Sequence, residues 1–217
     1  MEIIRQKKYR LNRFITREDL RVLEVVIGNS SPRVFKKYYP ECIMYHGIDR
    51  DLNYNLDDRS IKAIDQFYQM DIETDSLKLI PEDYYDYVLI AHVIEHIDNG
   101  EEVINEIAGK LDKSGIIYIE YPHKESKKFP SMNGTLNFYD NPTYKRFYEN
   151  KTLIQILKSK NSTILHAGVK RDFSRIIGIP FLIIKSIVVH GYIRRGVFWD
   201  ILGFANFILA KKMNSRD

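Results

Sequence analysis

Arg21 to Ser31 reads RVLEVVIGNSS, and the interpretation of this stretch decides the fold. Val22 to Ile27 is β-branched and aliphatic apart from Glu24, the composition of a strand buried in a sheet. Gly28-Asn29-Ser30-Ser31 is turn chemistry, and Pro32 suits the first turn of a helix. A strand, a glycine turn and a helix N-terminus together present backbone N–H groups to a ligand. Glu24 stands out, because a carboxylate near the end of a buried strand is costly unless it accepts hydrogen bonds or faces a cation. Either it is satisfied within the fold, or it helps hold the amino-acid end of a charged ligand over Gly28.

Outward from this unit the pattern repeats. Pro32 to Tyr39 is expected to be helical, stopped at Pro40, and Ile43 to Asp49 (IMYHGID) forms a second strand. Gln66 to Ile72 (QFYQMDI) is a third, short strand. Tyr85 to Ala91 (YDYVLIA) is a fourth, the nearly continuous apolar run of a sheet covered on both faces. Gly100 to Leu111 has helical period, with Val103, Ile104, Ile107 and Leu111 on one side. Ile116 to Tyr121 (IIYIEY) is a fifth strand, ending at Pro122-His123. Asn150 caps a helix over Lys151 to Lys158, Thr163 to Val169 is a sixth strand, and Ala205 to Lys212 (ANFILAKK) is the last. This alternation predicts an α/β fold, a parallel sheet with helices on both faces. Ligands of such sheets sit outside the carboxyl ends of the strands. Glu24, Gly28, Asp49, Asp71, His92 and His123 all fall at such ends.

Within that set Asp49 lies 25 residues beyond Glu24, where an acidic residue can accept from two ribose hydroxyls. A helix cap or turn is the alternative, and Asp51 is a second candidate. The chain's 217 residues suit one α/β domain, residues 1–217, with a modest accessory segment. With 33 basic against 29 acidic residues, the net charge of +4 gives no argument for nucleic acid. A single cysteine, Cys42, excludes an internal disulfide framework and fits a reducing, cytoplasmic setting. The amino-terminal residues lack the apolar core of a secretory signal, and no cluster suggests a catalytic metal.

Three segments lie outside the alternation. Residues 1–20 are basic with interspersed apolar positions, expected as a leading helix or lid. Residues 124–150 are polar and rich in aromatics, expected as a cap on the substrate side. Residues 173–200 hold the most apolar stretch, Ile176 to Val189 (IIGIPFLIIKSIVV), too short to span a membrane and interrupted by Lys185. It is expected as a buried helix or a homodimer face; residues 176–195 as a peripheral membrane patch, helped by Arg194 and Arg195, are the alternative.

In order, VLEVVIGNSS, YHGID, YQMDI, YDYVLIAHVIEHI and LDKSGIIYIEYPH resemble the motif set of class I S-adenosylmethionine-dependent methyltransferases over residues 20–123. The nearest resemblance is to the bacterial small-molecule and saccharide group whose fourth strand ends in an HVIEH-type sequence. The resemblance implies a Rossmann-like, doubly wound, seven-stranded sheet in the order 3-2-1-4-5-7-6. It implies a cap after strand five and a helical insertion before the last strand. It also implies S-adenosyl-L-methionine as cofactor: Glu24 and Gly28, with Asn29 beside them, cradle its methionine part. Asp49 takes the ribose hydroxyls, Asp71 the adenine amino group with the Ile72 backbone N–H, and His92 lines the methionyl side. The first motif departs from the family pattern, acidic-x-Gly-x-Gly-x-Gly, which reads here Glu24-Val25-Val26-Ile27-Gly28-Asn29-Ser30. Valine enters φ > 0 only at a cost.

Methyl transfer to a neutral hydroxyl gains from a general base, usually histidine. His123, which follows strand five and faces the cap, and His92, nearer the cofactor, are the two candidates; both could equally be structural. Glu95 is read as a helix-start carboxylate, and Tyr139 and Asp140 as cap residues that position a polyol. An FYDNPT-like stretch after strand five is similar to that of enzymes tailoring surface polysaccharides. The expected reaction is therefore O-methylation of a saccharide or related polar small molecule, in bacterial surface-glycan or secondary metabolism. A lipid or quinone methyltransferase at the membrane surface and a non-catalytic interaction module are the alternatives. A nicotinamide dehydrogenase fits poorly, for the glycine spacing is wrong and no second domain has room.

Overall fold

The computed structural model describes residues 19–28, 30–52, 56–132, 136–193 and 197–214. The expected leading helix or lid lies outside the described residues except for its last two positions, and so does Asn29. Leu20 already opens the first strand.

Seven strands form one sheet: β1 (Leu20–Val25), β2 (Cys42–Asp49), β3 (Gln66–Gln69), β4 (Tyr85–Ala91), β5 (Leu111–Pro122), β6 (Ser162–Val169) and β7 (Ala205–Lys212). Their order is β3-β2-β1-β4-β5-β7-β6, as the resemblance implied. The first five are parallel, and β7 runs antiparallel between β5 and β6. Because strand side chains alternate, the sheet divides its apolar residues between two faces. Leu23, Val25, Val88, Ile90, Ile117 and Ile119 belong to one core cluster; Val22, Tyr87, Leu89, Ile116 and Tyr118 belong to the other.

Helices cover both faces. α1 (Ser31–Tyr38), opened by Pro32, drives Phe35 among Tyr39, Tyr45 and Tyr87. A one-turn α2 (Asp58–Ile61) follows β2, with the Asp57 side chain capping the Ser60 amide. α3 (Gly100–Gly109) buries Val103, Ile104 and Ile107, and α4 (Asn150–Ser159) buries Leu153 and Leu157. Before β7 come α5 (Phe173–Ile177), α6 (Ile179–His190) and α7 (Trp199–Leu202).

Several boundaries differ from expectation for identifiable reasons. β3 stops at Gln69 rather than Ile72, because Asp71 accepts from the Glu73 amide and gives its own amide to Asp75, a local turn that competes with the ladder. β5 starts at Leu111, with a register shift and Ser114 at φ 71° before the buried run. Asn150 is not the cap of α4 but its first residue; its side chain accepts from the Tyr121 hydroxyl instead. The largest correction concerns Ile176 to Val189. Gly178 divides it between two helices, and on α6 only Ser186 is buried. The buried-helix expectation is therefore wrong for this chain on its own.

Candidate active site

The carboxyl ends of β1 to β5 share one edge, which the parallel register requires. Two groups of polar residues occupy it. The first lies over β1, β2 and β3. Val26, immediately after β1, adopts φ 54° and donates its amide to Ile48 at 2.8 Å. A valine in the left-handed region is strained, and such strain persists where the surroundings fix the backbone and is typical of functional turns. The turn thus keeps a shape usually reserved for glycine. Gly28 follows; an added Cβ would make ordinary contact with Ser31 Cβ at 3.7 Å and Glu24 Oε1 at 3.8 Å. Glu24 lies beneath it, 2 % exposed, accepting from the Tyr45 hydroxyl at 2.5 Å.

Asp49 ends β2 almost fully buried and fastens the turn, accepting from the Ile27 amide at 3.1 Å and the Arg50 amide at 2.7 Å. Burial pushes its pKa up, against those amides. Asp51, the alternative, is exposed. Asp71 lies past β3, paired with Arg50 at 2.7 Å; burial would raise its pKa, but the guanidinium holds it below the ordinary carboxylate value. Ile72 is buried beside it.

The second group lies over β4 and β5. His92 follows β4 with φ 57°, its amide bonded to Glu120 O at 2.8 Å. Its Nδ1 faces Glu95 Oε1 at 3.0 Å and its Nε2 faces Glu120 Oε1 at 3.1 Å. Burial works against the charged ring, yet the two carboxylates raise its pKa to about 9. At neutral pH it is an imidazolium that donates from both nitrogens. Glu120 is 3 % exposed and also accepts from Lys170 Nζ at 2.7 and 2.8 Å and from the Tyr118 hydroxyl at 2.5 Å. Two carboxylates and two cations balance one another, which makes burial of the cluster tolerable. Glu95 sits 1 % exposed in the first turn of a short 3-10 helix (Ile94–His96), near a helix start as expected, and there it is also the counter-ion of His92. Trp199 stacks on Phe204 at 4.5 Å and approaches the His92 ring at 5.2 Å.

His123, directly after β5, is half-buried and bonded through its amide to Phe204 O at 2.7 Å. Burial lowers its pKa, and Lys124 and Arg171 act in the same direction against Glu125. Its imidazole is neutral at pH 7, with a lone pair to accept a proton.

Part of the segment 124–150 is tied to the loop after β4. The Lys145 amide bonds Glu95 O at 2.7 Å, Thr143 Oγ1 meets His96 Nδ1 at 2.8 Å, and the Tyr148 hydroxyl donates to Ile97 O at 2.7 Å. Phe138 stacks on Phe147 with centroids 3.7 Å apart, and Tyr139 is exposed. Asp140 does not face a ligand as expected: its carboxylate is taken by Ser131 and by the amides of Met132, Leu136 and Asn137.

The structure therefore brings Glu24, Gly28 and Asp49 together, sets Asp71 beside Arg50, and joins His92 to Glu95, expected in another role, and to Glu120, which the sequence had not singled out. Glu120 carried a readable signal, an acidic residue inside an apolar strand, as at Glu24. Lys170 and Trp199 carried none: β6, paired with β7, brings Lys170 to this edge, and the chain's return through α5 to α7 brings Trp199.

A sheet of this order, with acidic residues closing β2 and following β3, defines the class I methyltransferase fold. The chain belongs to a methyltransferase-domain family, whose profile matches residues 7–167. It is 25% identical over 143 residues to an uncharacterized protein of Methanocaldococcus jannaschii, covering 64% of this chain and 38% of that protein. The chain thus spans well under half of the curated relative it matches. A methyltransferase from Archaeoglobus fulgidus, described as SAM-dependent, superposes with a TM-score of 0.55 at 23% identity, covering 94% of this chain and 92% of that one. An S-adenosylmethionine-dependent methyltransferase from Mesorhizobium loti gives 0.64 at 12% identity, covering 93% and 95%. Phosphoethanolamine N-methyltransferase 2 of Haemonchus contortus, solved in complex with S-adenosyl-L-methionine, gives 0.61 at 16% identity, covering 94% of this chain and 51% of that one. At these identities the likeness to the solved structures is one of fold.

Proposed function

We propose that this chain transfers a methyl group from S-adenosyl-L-methionine to a hydroxyl of a saccharide or related polar small molecule, in surface-glycan or secondary metabolism. The residues present fit that cofactor. Val26 holds the turn in its glycine-like shape, the Glu24 carboxylate lies against Gly28, and Asp49 stands pre-oriented by two amides. Glu24 and Gly28 would hold the methionine part, Asp49 the ribose hydroxyls, and Asp71 with the Ile72 amide the adenine. S-adenosylmethionine supplies an electrophilic methyl group on a sulfonium, so the protein's part is orientation, electrostatics and a proton acceptor.

The observation that carries the hydroxyl assignment is the contrast between the two histidines. His92 is charged with both nitrogens engaged, so it has no lone pair for an acceptor proton. His92 is thus a positioning group, and the carboxylates on either side cancel its charge where a second cation binds. His123 is neutral at the next strand end and at the root of the aromatic segment 124–150. His123 takes the hydroxyl proton as the oxygen attacks, a contribution on the order of 100-fold or more. The exposed aromatic Tyr139 offers a ring on which a sugar stacks.

The test is calorimetric titration with S-adenosylhomocysteine, then turnover with nucleotide sugars and glycans. Micromolar binding and methylation of a sugar hydroxyl are expected; no binding at millimolar ligand would overturn the proposal. A lipid or quinone acceptor is the second reading, favoured by the exposed apolar residues of α6. Family membership and the intact acidic positions count against a non-catalytic module.

A further inference from the structure

α6 is apolar apart from Lys185, Ser186 and His190, yet it lies on the surface. Phe181 and Ile184 are each 62 % exposed and Val188 is 78 % exposed, at helical spacing on one stripe of α6, and Ile177 at the end of α5 is exposed too. Pro180 opens α6, and Gly191, at φ 76°, closes it. A predominantly apolar helix is ordinarily covered, and a contiguous exposed apolar stripe marks an interaction face.

Charge identifies what covers it. From Arg171 to Arg195, leaving aside Lys170, which Glu120 holds, the sequence has five basic residues and one acidic residue, Asp172. That segment is +4, the whole net charge of the chain. Exposed Lys185 flanks the stripe, and exposed Tyr192 follows the helix. An apolar stripe flanked by cations and an aromatic is the chemistry of a helix lying in the headgroup region of an anionic bilayer. A symmetric pairing of two copies would instead bring these like charges together. At twelve residues α6 is about 18 Å long, right for lying in the interface and too short to cross. No helix among the described residues is long and apolar enough to span a membrane.

We propose that α5 and α6 dock the protein on an anionic lipid surface. The docking element is rooted in the site: Lys170, just before it, pairs with Glu120, and Trp199, just after it, packs by His92. Docking therefore sets the edge that carries His92 and His123 near the lipid, whichever acceptor is methylated.

Flotation of the full chain with phosphatidylglycerol–phosphatidylcholine vesicles, and with phosphatidylcholine alone, tests this. The chain should float with the anionic vesicles and do so less at high salt, since each basic residue at the surface contributes about fivefold to partitioning. The paired substitution Phe181→Asp and Val188→Asp should cut partitioning at least about tenfold. Lys185→Glu should cut it on anionic vesicles only. Both variants change exposed positions, so melting temperature and S-adenosylhomocysteine affinity should stay at the values of the unaltered chain. An unaltered chain that stays unbound with both vesicle types overturns the proposal. So does a dimer, dissolved by the paired substitution, that forms without any vesicle binding, for it assigns the face to a second copy.

Discussion

Replacing Glu95 by glutamine tests the charge state on which the histidine assignments rest. His92 lies between Glu95 and Glu120 at 3.0 and 3.1 Å, and against the effect of burial the carboxylates raise its pKa from 6.5 to about 9. A group whose folded pKa is raised stabilises the fold fully below its unfolded value. That stability is lost as pH climbs through the folded value. For His92 the window runs from 6.5 to about 9. At about 1.36 kcal/mol per pH unit this is worth roughly 3 kcal/mol, little diminished by solvent because the side chain is only 22 % exposed. The two carboxylates are nearly equidistant, and the burial penalty stays when one of them is neutralised, so Glu95→Gln should remove more than half of it. Urea unfolding at about pH 6 and about pH 9.5 measures the loss in each protein, and an NMR titration of the His92 ring reads its pKa directly. A ring titrating at or below 6.5, or pH dependences that superimpose for the two proteins, would refute the reasoning.

Asp49→Ala should weaken S-adenosylhomocysteine binding by about 1–3 kcal/mol in calorimetry, through lost charged hydrogen bonds and a loosened Ile27 amide; unchanged affinity would remove Asp49 from the site. His123→Ala should lower kcat by about 100-fold or more while leaving S-adenosylhomocysteine affinity intact, and a variant with full turnover would place the base elsewhere. Val26→Gly should change stability by less than about 1 kcal/mol. Relief of left-handed strain, about 1–2 kcal/mol, is offset by glycine's chain entropy and by the loss of a side chain 37 % exposed. The same change at fully buried Val25 should cost roughly 3 kcal/mol, and equal losses at the two positions in urea titrations would deny that Val26 is strained.

The strand positions were legible because their signals are local. β4 and β7 have the expected limits, and α3 presents the predicted Val103, Ile104 and Ile107 to the core. Asp49 lies at the end of β2, and Asp71 just past β3, for the same reason: an acidic residue after an apolar run marks where a strand leaves the sheet. Asp140 shows the limit of this reasoning. Its residue type suited a polyol ligand, but the surrounding amides claimed its oxygens, and amide positions depend on loop conformation.

The sequence alone determined that the chain builds a parallel sheet with a strained turn after β1 and polar residues along one edge. Period-two burial, glycine and proline act within a few residues of themselves. Tertiary structure alone decided the charge of each histidine. His92 became a cation because Glu120, 28 positions on, and Glu95 meet its ring, while His123 stayed neutral among cations. Lys170, 50 positions beyond Glu120, completes the balance. Tertiary structure also decided that α6 is exposed. Apolar composition is the same in a buried helix and in one that awaits a lipid surface, and only the packing of the rest of the chain distinguishes them.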